Sequence, residues 1–175
     1  MRLAHFLAQG GIASRRACEK LIFQGKVSVN GVIATHPATP VLESDSVFYE
    51  NRKVFPQNKI RVWCYYKPKG LITTHNDEKE RETVFDDISK RHKLPRVMSV
   101  GRLDLNSEGL LILSNQGEFC RKAEMSKTPR CYRVRILGNP SAQDIEKIQK
   151  GITIDCVRYA PLDIEYNPSE RSNQW

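Results

Sequence analysis

No stretch of this 175-residue chain is apolar for long enough to cross a membrane. The N-terminal MRLAHFLAQGGIASRR has neither a continuous apolar core nor a small-residue cleavage site, so it does not read as a secretory signal. Cysteines are few and scattered. Cys18, Cys64, Cys120, Cys131 and Cys156 are odd in number and form no CxxC pair. That pattern argues against a disulfide framework or a zinc site, and for reduced, mostly buried thiols in a cytoplasmic protein. His5, His36, His75 and His92 are equally dispersed, and no metal site is expected. Acids are nearly missing from the start of the chain, where Glu19 is the only one within residues 1–42.

What is present is positive charge. Lys and Arg outnumber Asp and Glu by 28 to 20, a net charge of +8 that points to a polyanionic partner. A hydrophobic content of 39% suits a globular core, and the length allows one medium domain or a small domain plus a medium one.

The first fifty residues read as a small basic module. Leu3, Phe6 and Leu7 fall at helical spacing before Gly10-Gly11. Ser14 is a good N-cap for a second helix with the apolar stripe Cys18, Leu21 and Ile22, and Gly25 supplies its stop. Val27 and Val29 alternate into Asn30-Gly31, a strong hairpin-turn signal. Arg15 and Arg16 follow the cap directly, at the positive end of the helix dipole, where acids are preferred. Either they form a phosphate site with the free N–H groups of the helix start, or they are simply solvated.

SRRACEKLIFQGKVSVNG resembles the S4 RNA-binding domain, which has a Ser-Arg-Arg helix start and a V-x-V-N-G turn. The resemblance implies that Arg15, Arg16, Lys20 and Lys26 face the RNA backbone, contacts that position a protein without reading sequence. Residues 41–58 carry acids, Asn and Pro56 and read as strand ends followed by a linker. The expected domains are therefore 1–58 and 59–175.

Beyond the linker, Arg61–Tyr66 reads as a core strand ended by Lys67-Pro68-Lys69-Gly70, and Leu71–Thr74 as the second strand of a hairpin with a basic tip. HNDEKERE (75–82) reads as a solvated, mobile loop, and Phe85 and Ile88 as a short helix. SVGRLDLNSEGLLILSNQG (99–117) reads as strand, tight polar turn, strand, with Asp104 where the backbone leaves the first strand. Arg102 lies two residues away, so on extended backbone both side chains emerge on one face, and its guanidinium would keep the carboxylate ionised. Taken alone, Asp104 and Asn106 are also ordinary turn residues. Residues 117–125 read as a helix. Cys131–Leu137 reads as a strand with Tyr132, Val134 and Ile136 on one apolar face, where a tyrosine is by default part of a core. Ser141 and Asp144 form a capping-box pattern for a helix ended by Gly151, and strands are expected near 152–154 and 162–166.

The string GRLDxxSxGLLxLxNxGE resembles the signature of the RsuA-like pseudouridine synthases, with Ser107 where Thr is more usual. The resemblance implies an α+β protein: a small helix–helix–hairpin S4 domain, then a mixed, mainly antiparallel sheet with flanking helices, incomplete at its C-terminus. It implies isomerisation of a uridine in ribosomal RNA, or in a ribosomal assembly intermediate, with the base flipped and Asp104 as the catalytic residue. Whether Asp104 attacks C1′ or takes a proton from C2′ stays open. Tyr132, in Arg130-Cys131-Tyr132 where K-x-Y is usual, takes the active-site tyrosine's place. Arg102 would hold the space of the flipped base or contact phosphate. Lys67 and Lys69, in a similar KPKG element, become RNA contacts, with a solvated turn as the alternative. The reaction implies no cofactor or metal, and the reading includes a monomer without membrane association. The family pattern extends past Ser172–Trp175, so a noncatalytic RNA-binding protein retaining the S4 domain is the alternative.

Overall fold

Leu3, Phe6 and Leu7 recur at the spacing of one helical face, and in the computed structural model, which describes residues 1–167, they are buried on α1 (Leu3–Gln9). Gly10 caps this helix where the backbone passes so close to Val54 that any side chain would overlap it. α2 (Arg15–Phe23) begins where the Ser14 hydroxyl accepts the Ala17 N–H at 3.2 Å, and it buries Cys18 and Ile22. β1 (Val27–Val29) and β2 (Val32–Ile33) meet at Asn30 and Gly31, whose φ values of 52° and 85° are those of a type I′ turn.

A second hairpin, β3 (Val47–Tyr49) and β4 (Arg52–Lys53), completes an antiparallel sheet of order β2-β1-β3-β4. The sequence suggested only strand ends and a linker here. Its strands are two and three residues long, and its turn places Glu50 and Asn51 at φ 45° and 65° without a glycine to announce it. Leu3, Leu7, Ile22, Val27, Val41, Val47 and Val54 form the core of this module.

The second sheet is built on β5 (Val62–Lys67). It pairs antiparallel over its whole length with β7 (Gly109–Ser114), and β6 (Met98–Ser99) lies on the far side, giving the order β5-β7-β6. Only one face of β5 is buried, with Tyr65 and Lys67 inward while Cys64 and Tyr66 are exposed. α3 (Val84–His92) starts at a capping box of Thr83 and Asp86 and lays Val84 and Ile88 on Tyr65, Leu111 and Leu113. The Tyr65 hydroxyl donates to the buried Asp87 carboxylate at 2.6 Å, and Arg91 grips the other oxygen at 2.6 Å. Burial, then the Asp87 carboxylate, raises the Tyr65 pKa. α4 (Gly117–Met125) follows β7.

Two expectations are corrected, on the 71–74 strand and on the thiols. Residues 71–74 do not pair with β5: Ile72 makes a single parallel bridge to Thr83. The apolar run 110–113 takes that place, because Gly70, at φ +88°, turns its N–H onto the Leu105 carbonyl at 2.8 Å and leads the chain away from β5. The charged loop after residue 74 is solvent-exposed, as its sequence suggested, and carries one local clamp. Arg81 donates through its backbone N–H, Nε and Nη2 to the Asp77 carboxylate at 2.9, 3.0 and 2.8 Å, and these bonds hold the Asp77 pKa down at about 2. The thiols are not mostly buried, since Cys64, Cys131 and Cys156 are exposed and only Cys18 and Cys120 lie inside.

Contacts group Met1–Lys127 as one unit and the chain from Thr128 onward as another. In the second, α5 (Ala142–Gln149) starts at the expected Ser141–Asp144 capping box, and β8 (Thr153–Ile154) forms a hairpin with β9 (Val157–Arg158). The strands expected at 131–137 and 162–166 do not form. Alternating side chains make a strand only where a neighbour takes up the backbone N–H and C=O groups, and these segments join no ladder among the described residues. Tyr132, Val134 and Ile136 are exposed instead of sharing a core. The chain end, Ser172–Trp175, lies outside the described residues.

Two outcomes follow from this packing. Leu113 is fully buried on β7 and Leu110 is 65% exposed on the same strand. In urea titrations, Leu113→Ala should cost about 3 kcal/mol and Leu110→Ala about 0.5 kcal/mol or less. The depressed Asp77 pKa adds stability that is fully present above the ordinary aspartate value of 3.8 and lost as pH falls through about 2. Carboxyl-carbon NMR should therefore place Asp77 near about 2, and Arg81→Gln should return it toward 3.8.

Candidate active site

The loop between β6 and β7 carries Asp104, and neighbouring residues tie it down at almost every peptide. Thr73 Oγ1 donates to the Leu103 carbonyl at 2.8 Å and accepts the Leu103 N–H at 3.3 Å. The Ser107 N–H closes a turn on the Asp104 carbonyl at 3.0 Å, and the Gly70 N–H holds the Leu105 carbonyl. Beneath them lies Lys67, with no exposed surface, its Nζ donating to the carbonyls of Ser107, Asp104 and Pro68 at 2.7, 2.9 and 3.1 Å. Burial pushes the Lys67 pKa below the usual lysine range, and the negative charge of Asp104 opposes that shift.

Lys67 is thus not the RNA-facing cation expected from the KPKG element. Strand parity is the reason: residues 65 and 67 share a face of β5, and Tyr65 faces the core. Alternation puts residues 65 and 67 on one face, but only packing in the fold makes that face the buried one. Lys69 is the exposed cation of this turn, 3.9 Å from Glu108.

Asp104 lines a cleft of about 490 Å³ whose walls also include Thr73, Arg102, Leu103, Asp77, Lys79 and Arg81. Arg102 and Asp104 line the same cleft, as expected, but from a loop that starts after Ser99 and not from a strand face. Near this cleft Arg81 pairs with Asp77 and Lys69 with Glu108, and among the described residues no ion pair joins Arg102 to Asp104. The buried cation that feels Asp104 is Lys67.

Arg102 also borders a second cleft, of about 380 Å³, with His75, Phe85 and Met98 in its wall. The His75 and Phe85 rings stack there, with centroids 3.6 Å apart and planes within 11°. Sequence reasoning missed this pair, because a charge-dense loop hid the histidine and the two residues are ten apart.

The remaining expected residues lie elsewhere. Arg15, Arg16, Lys20 and Lys26 are all exposed on and just after α2, with ion pairs only from Arg15 to Glu19 at 3.9 Å and from Lys26 to Glu50 at 3.2 Å. Such exposed pairs are weak and leave the cations exchangeable. Tyr132 belongs to the unit that begins at Thr128 and is 63% exposed. Among the described residues no His, Cys, Asp or Glu cluster could hold a metal ion, and no helix is long and apolar enough to cross a membrane.

Comparison with known proteins places this geometry. Residues 1–47 match the S4 domain, and residues 61–173 match the RNA pseudouridylate synthase family. The chain is 46% identical over 176 residues to an uncharacterized RNA pseudouridine synthase of Rickettsia bellii (strain RML369-C), a match that covers 99% of this chain and 75% of that protein. A similar protein of Rickettsia prowazekii (strain Madrid E) is 44% identical, with 99% and 73% covered. The ribosomal large subunit pseudouridine synthase B of Bacillus subtilis (strain 168) is 35% identical over 178 residues, with 99% and 70% covered. With the GRLD turn lining a cleft and a basic S4 module preceding it in sequence, the chain belongs to the RNA pseudouridylate synthase family.

Proposed function

We propose that the protein converts a uridine of ribosomal RNA to pseudouridine, with the uridine flipped out of its helix and Asp104 acting on it. The observation that carries this reading is the Asp104 loop, anchored by Lys67, Thr73 and Gly70 at a cleft large enough for a nucleoside. Ribosomal RNA is favoured because the similar Bacillus subtilis protein is named for the large ribosomal subunit.

The isomerisation breaks the bond from uracil N1 to C1′, turns the base and joins C5 to C1′. The proton lost from C5 is balanced by one gained at N1, so no net redox change occurs. A base within a duplex is out of reach of any side chain, so the nucleotide must swing into the cleft. There the Asp104 carboxylate works on the sugar, as nucleophile at C1′ or base at C2′. A held backbone supports either role, since a reacting group must be placed before substrate arrives. Arg102 contacts the flanking strand or fills the gap it leaves. Tyr132 is the aromatic partner of the uracil, a role that rests on family resemblance.

Arg15, Arg16, Lys20 and Lys26 bind the RNA backbone, with Lys69 as a further contact. The working division is an S4 module through residue 58 and a catalytic domain after it, in keeping with separate apolar cores at 3–54 and 65–113. The protein acts where ribosomal RNA is made and assembled, in the cytoplasm.

The test is incubation of the full chain with unmodified ribosomal RNA transcripts, with pseudouridine read by carbodiimide labelling and primer extension. The intact chain should give product, and Asp104→Asn should lower the rate by about 10²–10⁴-fold or more. No product from the intact chain would sink the reading. Replacing Arg15 and Arg16 together by Gln should weaken RNA binding and flatten the log–log salt slope by about 1.4, two phosphates' worth on single-stranded RNA.

A further inference from the structure

The second cleft is not accounted for by an aspartate acting on one flipped uridine. It adjoins the Asp104 cleft, and Thr73, Thr74 and Arg102 belong to the walls of both. Its lining is largely apolar, and its most ordered feature is the parallel stack of His75 on Phe85. Phe85 is half-buried on α3, whereas His75 is exposed. One face of the imidazole is therefore backed by the phenyl ring, and His75 lines the cleft. A flat aromatic surface held from behind, in an apolar recess with hydroxyls at its rim, suits an unpaired nucleobase, which needs a stacking partner and a few polar contacts.

We propose that this cleft holds an unpaired base of the RNA immediately beside the flipped uridine, stacked on His75. The inference rests on the isomerase reading for the identity of the neighbouring cleft. Arg102, standing between the two recesses, then lies where the backbone joins the two nucleotides, and the pair of clefts reads a two-nucleotide segment instead of a single base.

The charge state of His75 agrees. Burial against its neighbours and the nearby Arg96 push its pKa down to about 4, against smaller opposing effects of the Val97 backbone and Asp86. The ring is neutral at physiological pH, so it offers a π face and not a cation for phosphate. The charged residues in the wall of this cleft are Arg102 and Glu124, and Glu124 accepts the Gly101 N–H at 2.7 Å. Glu124 adds an acid to the wall, which favours a base over a phosphate there.

The experiment compares the full chain with His75→Ala and His75→Phe, using a ribosomal RNA transcript carrying 4-thiouridine for photocrosslinking. The intact chain should crosslink through the peptide containing His75 to Phe85. His75→Ala should lose that crosslink and raise KM for the transcript by about 5- to 100-fold, the worth of one stacked base, while kcat changes little. His75→Phe, which keeps the flat face, should restore both. An unchanged KM and crosslink in His75→Ala would overturn the proposal. So would a phenylalanine variant as impaired as the alanine one at matched thermal stability, which would mark His75 as packing only. The crosslink also separates this proposal from the isomerase reading: a chain that crosslinks at His75 yet makes no pseudouridine keeps the base site and loses the reaction.

Discussion

A lysine ammonium with no exposed surface is costly unless its protons are taken up, and Lys67 gives all three to backbone carbonyls. Two of those carbonyls belong to the loop that carries Asp104. The loop's backbone is thus drawn around a fixed charge at the end of β5, and the placement of the candidate catalytic carboxylate becomes a consequence of sheet register. Lys67 pairs with Gly109 across the β5–β7 ladder. A slip of one residue would turn Lys67 outward and leave those carbonyls with no buried donor. The β5–β7 ladder, Thr73 on Leu103 and Gly70 on Leu105 all agree with a single arrangement of this turn.

Around that constraint, charge falls into two sets. Around the second sheet, carboxylates have named partners: Asp87 accepts from Tyr65 and pairs with Arg91, and Asp77 in the exposed loop pairs with Arg81. At the start of α2, Arg15 and Arg16 stand in solvent at a helix end that already carries partial positive charge. The first set braces local structure, whereas the second is left to solvent. Two recesses share Arg102, one lined by Asp104 and one by the His75–Phe85 stack.

Much of this was legible in the residues. Ser14, Asn30-Gly31, Gly25 and the Ser141–Asp144 box act through their own backbone neighbours, so their turns and caps follow from local chemistry wherever the chain folds. The GRLD string pointed to Asp104 because its length makes coincidence improbable. Other features depended on distant partners. The hairpin at 47–53 is too short to show a period, and its turn is made by Glu50 and Asn51 without glycine. The strand expected at 131–137 has the right alternation, but alternation cannot supply the neighbour that a ladder requires.

Sequence by itself determined the capped helix starts, the Asn30-Gly31 turn, the basic character of the N-terminal module and the GRLD signature that points to the family. Each of these is encoded within a few residues, or within one long motif. Tertiary structure alone decided that β5 pairs with 109–114 and not with 71–74, that Lys67 points inward while Lys69 points out, and that His75 lies flat on Phe85. The physical reason is common to all three. Each depends on which distant surface excludes water from a side chain, or completes its hydrogen bonds, and that surface exists only once the chain has folded.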